Sequence, residues 1–132
     1  MSGSQYINKS DIMLESADIL QNKSLYVSVP HCAYYSTYQL ISYIWFYKIG
    51  KTESDISNRR AGKGSHEEMI NAVKSYISGM NNDDGRTFNH DVVQLKKLRV
   101  VADYQDSVID YMKGNWAIQL AHNVNTILKK YA

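Results

Sequence analysis

The residues best suited to chemistry in this 132-residue chain lie between Leu95 and Tyr104, near the end of a predicted helix. Arg99 and Asp103 are four positions apart, so on a helix they share one face and can pair. A guanidinium group holds a phosphate through two parallel hydrogen bonds, which makes Arg99 a candidate phosphate ligand. The competing interpretation is a modest surface ion pair, worth under about 1 kcal/mol.

The histidines and the single cysteine do not form an evident catalytic or metal-binding pattern. None of the four histidines, His31, His66, His90 and His122, stands at a compact ligand spacing from another ligand residue, so capping or surface roles are favoured over a metal site. Cys32 follows His31, but adjacent helical residues point about 100° apart, which does not suit a nucleophile pair. The sequence therefore predicts a buried structural thiol, no metal and no cofactor.

A glycine-rich stretch from Ala61 to Ser65 is similar to a phosphate-binding loop only in part. It lacks the earlier glycine of that pattern and follows no predicted strand. A flexible loop whose Ser65 caps the next helix is the favoured interpretation, and anion binding at that helix N-terminus is the alternative. The nearby Arg59, Arg60 and Lys63 form the most basic stretch and can steer a phosphate.

Composition narrows the class of protein without identifying an activity. A net charge of +2 and a pI near 8.6 are low for a dedicated nucleic-acid binder, whose pI exceeds about 9. A single cysteine excludes an intramolecular disulfide framework. No run of about 18 apolar residues is present and the N-terminus lacks a signal-peptide pattern, so we expect a cytoplasmic protein with no membrane segment.

Apolar side chains recur at helical spacing along most of the chain. Strands over 25–29 and 43–47 are the alternative, but the first is short and the second lies within a longer helical period. Ser65 and Glu68 have capping-box spacing, and Val93 and Trp116 fall on the predicted inward faces of their helices. We predict an all-α antiparallel bundle of four to five helices, one domain over 1–132, with loops at 50–65 and 79–85. The predicted helices are Ser10–Gln21, Pro30–Ile49, one starting at Ser65, Asn89–Tyr104 and Ser107–Tyr131.

Four short segments follow one another in a distinctive order along the predicted helices. The most specific is Leu98-Arg99-x-x-Ala102-Asp103-Tyr104 near the end of the fourth helix. The others are the tyrosine-rich Ala33–Tyr38, the segment Ser65–Ile70 at the start of the third helix, and Trp116-Ala117 with Ala121 in the last helix. Together they resemble the HEPN family of helical nucleotide-binding domains, and the resemblance is strongest over 30–131.

This resemblance implies an antiparallel helical bundle that forms a homodimer. Many members are metal-independent RNases or toxins encoded beside a small nucleotidyltransferase antitoxin. Their nuclease motif is an arginine, four to six residues and then a histidine, and the two copies face each other across the dimer cleft. Arg99 matches the arginine, whereas Tyr104 stands five residues later and no histidine lies between Asp91 and Asn115.

Three functions follow from these observations. The first is a HEPN-like dimer, in a toxin–antitoxin or defence setting, that binds RNA, a nucleotide or a partner protein in a cleft lined by Tyr35, Arg99, Asp103 and Tyr104. The second is an RNase toxin in which Arg99 binds the phosphate and His66 or His31 acts as the general base in place of the missing motif histidine. The third is a structural or interaction protein whose tyrosine-rich second helix and Trp116 build a core and an apolar dimer face.

Overall fold

The structure, a computed structural model, describes residues 3–56 and 64–132, and within those ranges all regular structure is helical. The predicted all-α bundle is confirmed. None of the helices described is long and apolar enough to cross a bilayer. The five α-helices are α1 (Gly3–Asn22), α2 (Val29–Ile44), α3 (Ser65–Ser78), α4 (Asn82–Tyr104) and α5 (Tyr111–Tyr131).

The most buried helix is α2, as its apolar circumference predicts. It packs against α1, α4 and α5, and Pro30 occupies its first turn, where a missing N–H leaves no bond unmade. A π-helical turn, Trp45–Ile49, extends it to Gly50. Gly50 ends the helix as predicted, in a left-handed conformation (φ +82°) that glycine adopts at little cost.

Two groups of apolar side chains form the core at opposite ends of α2. One surrounds Leu40, Ile41 and Trp45, and the other surrounds Ala33 and Tyr34. Between them, Ser36 and Thr37 of α2 hydrogen-bond to Asn125 of α5, and Ser36 also donates to the Ser10 carbonyl oxygen of α1. These buried polar groups are satisfied, so they hold three helices in register without an unpaired donor.

The predicted loop over 79–85 spans only 79–81, because the polar residues that follow begin a helix. The Asn81 side chain accepts a hydrogen bond from the Asp84 backbone N–H at 3.0 Å, and α4 starts at Asn82 rather than Asn89. Gly85 therefore lies inside α4 and is buried against Ser78 of α3. The cap accepts a hydrogen bond from a backbone N–H that has no carbonyl partner within the helix. The acidic residues of the first turn interact favourably with the positive end of the helix dipole.

The other helix ends also differ from prediction. α1 begins seven residues early, at Gly3, because Tyr6 stacks on Phe46 with ring centroids 5.9 Å apart and Ile7 packs on the core. α5 begins at Tyr111 rather than Ser107, where the Asp110 side chain accepts from the Lys113 N–H. Packing contacts and capping hydrogen bonds determine where these helices begin, and the apolar periodicity of the sequence indicates neither of them.

Three predicted side-chain positions were wrong. No capping box forms at Ser65: Gly64 is the N-cap in a left-handed conformation, and Ser65 is the first helical residue. Val93 is 37% exposed and Trp116 is 46% exposed, so neither belongs to the core. Both lie at the edge of an apolar helical face, where a small rotation of the helix decides whether a residue is buried.

Candidate anion-binding site

Arg99 lies on the inward side of α4 with only 7% of its surface exposed, although it is a charged residue. It shares that side with Leu95 and Leu98, which pack against α2 in the same core cluster. The predicted surface ion pair with Asp103 was therefore wrong about burial. An arginine this deeply buried needs compensation from its surroundings, because a buried charge is costly unless it is paired.

Tyrosine rings supply part of that compensation. The guanidinium carbon of Arg99 lies 5.0 Å from the ring centroid of Tyr34. Its distance to the rings of Tyr35 and Tyr104 is 5.6 Å in each case. Cation–π contacts of this kind are worth about 2 kcal/mol or more each when desolvated. The tyrosine rings at the start of α2 thus form a binding site for a cation.

Apart from the Tyr34 hydroxyl, which accepts a hydrogen bond from it, the guanidinium has only distant polar partners. Arg99 Nη1 lies 3.9 Å from Asp103 Oδ2, beyond hydrogen-bond distance, and 3.5 Å from the Tyr104 hydroxyl oxygen, at its limit. Arg99 Nε is buried and has no hydrogen-bond partner within the described residues. A guanidinium has five N–H donors, so this one keeps donor capacity that the protein does not use.

Asp103 is already engaged by a residue from another helix. His31 Nδ1, in the first turns of α2, lies 2.8 Å from Asp103 Oδ2 and donates to that carboxylate. The same oxygen therefore serves His31 closely and Arg99 only at longer range. Asp103 offsets part of the local positive charge without neutralising Arg99.

His66 lies in the first turn of α3 and is stacked among tyrosines. Its ring lies 4.2 Å from that of Tyr38, and its Nδ1 lies 2.8 Å from the Tyr34 hydroxyl oxygen. Burial, together with the positive charges of Lys96 and Arg99, lowers the pKa of His66 to about 4. The imidazole is therefore neutral at pH 7.

The Tyr34 hydroxyl shares one hydrogen bond with His66 Nδ1. Burial raises the pKa of Tyr34 well above its usual range, so the phenol keeps its proton. A phenol and a neutral imidazole can each donate or accept, and the imidazole tautomer sets which of the two donates.

These side chains border a surface pocket of about 280 Å³ between the start of α3 and the end of α4. The first N–H groups of a helix have no carbonyl partner within it and carry its positive dipole end. Gly64 and Ser65 bring that end of α3 to the pocket. The pocket is lined by Tyr35, Gly64, Ser65, His66, Glu67, Lys96, Arg99 and Tyr104.

Lys96 is a second cation in the pocket, one helical turn before Arg99. Burial lowers its pKa, and the neighbouring Arg99 charge acts in the same direction. Its ammonium group forms an ion pair with the Glu67 carboxylate across the boundary between α4 and α3. Two cations and a helix N-terminus thus face one pocket that holds a single carboxylate, which is the electrostatics of an anion site.

The structure brings most of the predicted site residues together. Arg99, His66, Tyr35 and Tyr104 all line the pocket, although they come from three helices. Asp103 instead borders a separate cavity of about 330 Å³, together with His31 and Cys32. The basic residues Arg59, Arg60 and Lys63 lie outside the described residues.

Sequence reasoning missed Lys96, Tyr34 and the Gly64 N-cap. The signal for Lys96 was present, because residues three apart on a helix face the same way as Arg99. Tyr34 gave no such signal, since its role depends on contacts with His66 and Arg99, which are 32 and 65 positions away in the chain. Long-range contacts of this kind have no local pattern.

The remaining thiol and histidines do not form a catalytic or metal-binding group. Cys32 is half-buried, and burial together with the Asp103 charge raises the pKa of its thiol, which makes it a poor nucleophile. His90 is exposed beside Asp91, and His122 is exposed on α5. Over the residues described, no three His, Cys, Asp or Glu side chains come close enough to hold a metal ion.

Comparison with protein-family models, with curated proteins and with solved structures gives no match for this chain.

Proposed function

We propose that this protein binds the phosphate group of a nucleotide or of single-stranded RNA in the pocket beside Arg99. The observation that carries the proposal is the buried guanidinium of Arg99, which lines the pocket and whose Nε has no hydrogen-bond partner among the described residues. A bound phosphate accepts charge-assisted hydrogen bonds from Arg99 and Lys96 and from the first N–H groups of α3. The neutral His66 lines the same pocket and adds a polar ring nitrogen to it.

The same residues support assignment to the HEPN-like proteins, as a variant with Tyr104 in place of the motif histidine. Leu98–Tyr104 carries that resemblance, and a helical bundle is the fold it implies. The proposal also includes two further features: the chain forms a homodimer, and a nucleotidyltransferase is its partner protein. Light scattering on the purified protein should give twice the 15.1 kDa chain mass, and a single-chain mass would remove the shared cleft from the proposal.

Fluorescence anisotropy with a labelled octamer of uridylate tests phosphate binding. Arg99→Met keeps the length and apolar contacts of the side chain but removes its charge, so we expect at least tenfold weaker binding. Arg86→Met is the matched control, because Arg86 lies on the same helix but is exposed and paired with Asp83. Binding that is unchanged in Arg99→Met, or lost equally in both variants, would contradict the proposal.

A second candidate function is an RNase in which His66 replaces the missing motif histidine. One observation favours it: His66 lines the same pocket as Arg99. The low pKa of His66 opposes it, because an imidazole with a pKa of about 4 is a weak general base at pH 7. Cleavage of an RNA pool that disappears in His66→Gln would favour this function over binding alone.

A further inference from the structure

A second, larger cavity adjoins the anion pocket. It is a groove of about 510 Å³ between α3 and α4, within the range of about 300–1,000 Å³ that small-molecule sites occupy. Glu67 and Lys96 line both the groove and the anion pocket, so the two cavities meet at this ion pair. A ligand whose phosphate contacts Arg99 can therefore place its other end in the groove.

The walls of the groove differ in chemistry from the pocket beside Arg99. Ile70 of α3 and Val93, Val100 and Val101 of α4 give it apolar walls. Among its other lining residues are the amide side chains of Asn71, Asn89 and Gln105, each of which can donate and accept. Apolar walls with a few polar groups bind flat ligands that have polar edges.

We propose that this groove holds the base of a nucleotide whose phosphate lies against Arg99. The inference rests on the proposed function, because phosphate binding at Arg99 sets the position of the ligand. A nucleobase has two apolar faces and a polar edge, and the ribose joins it to the phosphate at short range. The Glu67 carboxylate, at the boundary between the cavities, is placed to accept a hydrogen bond from a ribose hydroxyl.

The occupant is a base rather than an apolar segment of a partner because the groove is continuous with a cationic pocket. Two cations and the N-terminus of α3 lie at one end, which complements a phosphate attached to an apolar body. A partner helix that filled the groove would need an anionic group at the same end. Binding of a second copy is therefore an outcome that the experiment must separate from base binding.

Titration calorimetry with adenosine 5′-monophosphate and with ribose 5-phosphate tests the inference. In the wild-type protein the nucleotide should bind at least tenfold more tightly, because only it carries a base. Val93→Trp fills the groove from a half-exposed position and should reduce nucleotide affinity to that of ribose 5-phosphate, whose own affinity stays unchanged. Val108→Trp is the matched control, since Val108 is 81% exposed and lines neither cavity.

Methyl NMR gives a second readout that does not require a variant to fold. Addition of the nucleotide should shift the methyl resonances of Ile70, Val93 and Val100, and ribose 5-phosphate should leave them in place. Equal affinities for the two ligands, or a preference for the nucleotide that survives Val93→Trp, would overturn base binding. So would a wild-type dimer that becomes a monomer in Val93→Trp, because a second copy would then cover the groove.

Failure of the proposed function gives a different result. If neither compound binds, or if both bind equally well to Arg99→Met, phosphate recognition at Arg99 is wrong and the groove proposal falls with it. If both compounds bind equally and both are lost in Arg99→Met, phosphate binding stands and only the groove assignment is wrong.

Discussion

Arg99 combines burial with weak polar partners, and this combination has a consequence for stability. Removing such a guanidinium from water costs several kcal/mol, about as much as its ring contacts and distant carboxylate return. Arg99→Met should therefore keep the free energy of unfolding within about 1 kcal/mol of the wild type, since methionine also packs well on aromatic rings. Urea denaturation measures this, and a loss of more than about 3 kcal/mol would mean that the charge is fully compensated in the free protein.

His66 should make stability depend on pH. Its pKa is about 4 in the folded protein, against about 6.5 when unfolded, so the unfolded chain binds more protons between these values. The stability that the neutral ring contributes is fully present above pH 6.5 and is lost as the pH falls towards 4. Urea midpoints of wild type and His66→Gln should converge over that window, because the variant lacks this group. Parallel pH profiles would contradict the depressed pKa.

At the residue scale, the sequence predicted which residues form the site better than it predicted how deeply they are buried. Arg99 and Tyr104 lie in one short helical segment, so their proximity follows from local spacing. Burial of Arg99 does not, because it depends on rings that α2 contributes from more than 60 positions earlier in the chain. The same reason explains why His66 was expected at the surface and lies among tyrosines instead.

The crossing of α3 and α4, which forms both cavities, depends on a glycine. A Cβ atom on Gly85 would lie 1.9 Å from Ser78 Oγ and 2.9 Å from Ser78 Cβ, so the helices would have to separate. Gly85→Ala should lower the free energy of unfolding by about 1–3 kcal/mol through overpacking. Denaturant unfolding measures this, and combination with Ser78→Gly should restore part of the loss.

Gly79→Ala is the control for that substitution. Its Cβ would meet nothing closer than 3.5 Å, and its backbone is right-handed helical, so alanine fits without strain. Reduced freedom of the unfolded chain should make it neutral or stabilising by up to about 1 kcal/mol. If Gly79→Ala and Gly85→Ala behave alike, close packing at Ser78 is not the reason for the glycine.

At the element scale, helix interiors were predictable and helix ends were not. Apolar periodicity located all five helices, because each buries one face. The run from Gly79 to Gly85 was interpreted as a loop on composition, yet asparagine and aspartate also begin helices. The Asn81 side chain accepts a hydrogen bond from the Asp84 N–H, and this cap makes the segment after it the first turn of a helix.

The charge of the whole molecule sets an expectation for salt dependence. A net charge of +2 gives the protein little long-range attraction for RNA. In the pocket, two cations, Arg99 and Lys96, are positioned to contact the phosphates of the ligand. Neutralising two phosphates of single-stranded RNA gives a slope of about −1.4 in log affinity against log salt. Anisotropy titrations over a range of salt concentrations measure it. A slope steeper than about −4 would indicate an extended basic surface in place of one pocket.

Nuclear magnetic resonance of the arginine side chains tests the central claim most directly. The chain has four arginines, and the Nε–H signal of Arg99 is identified by its absence in Arg99→Lys. On addition of adenosine 5′-monophosphate we predict that this signal moves and saturates with the binding curve, while the Arg86 signal stays in place. A signal from Arg99 that does not move while the nucleotide binds elsewhere would contradict the assignment of the buried guanidinium as the phosphate ligand.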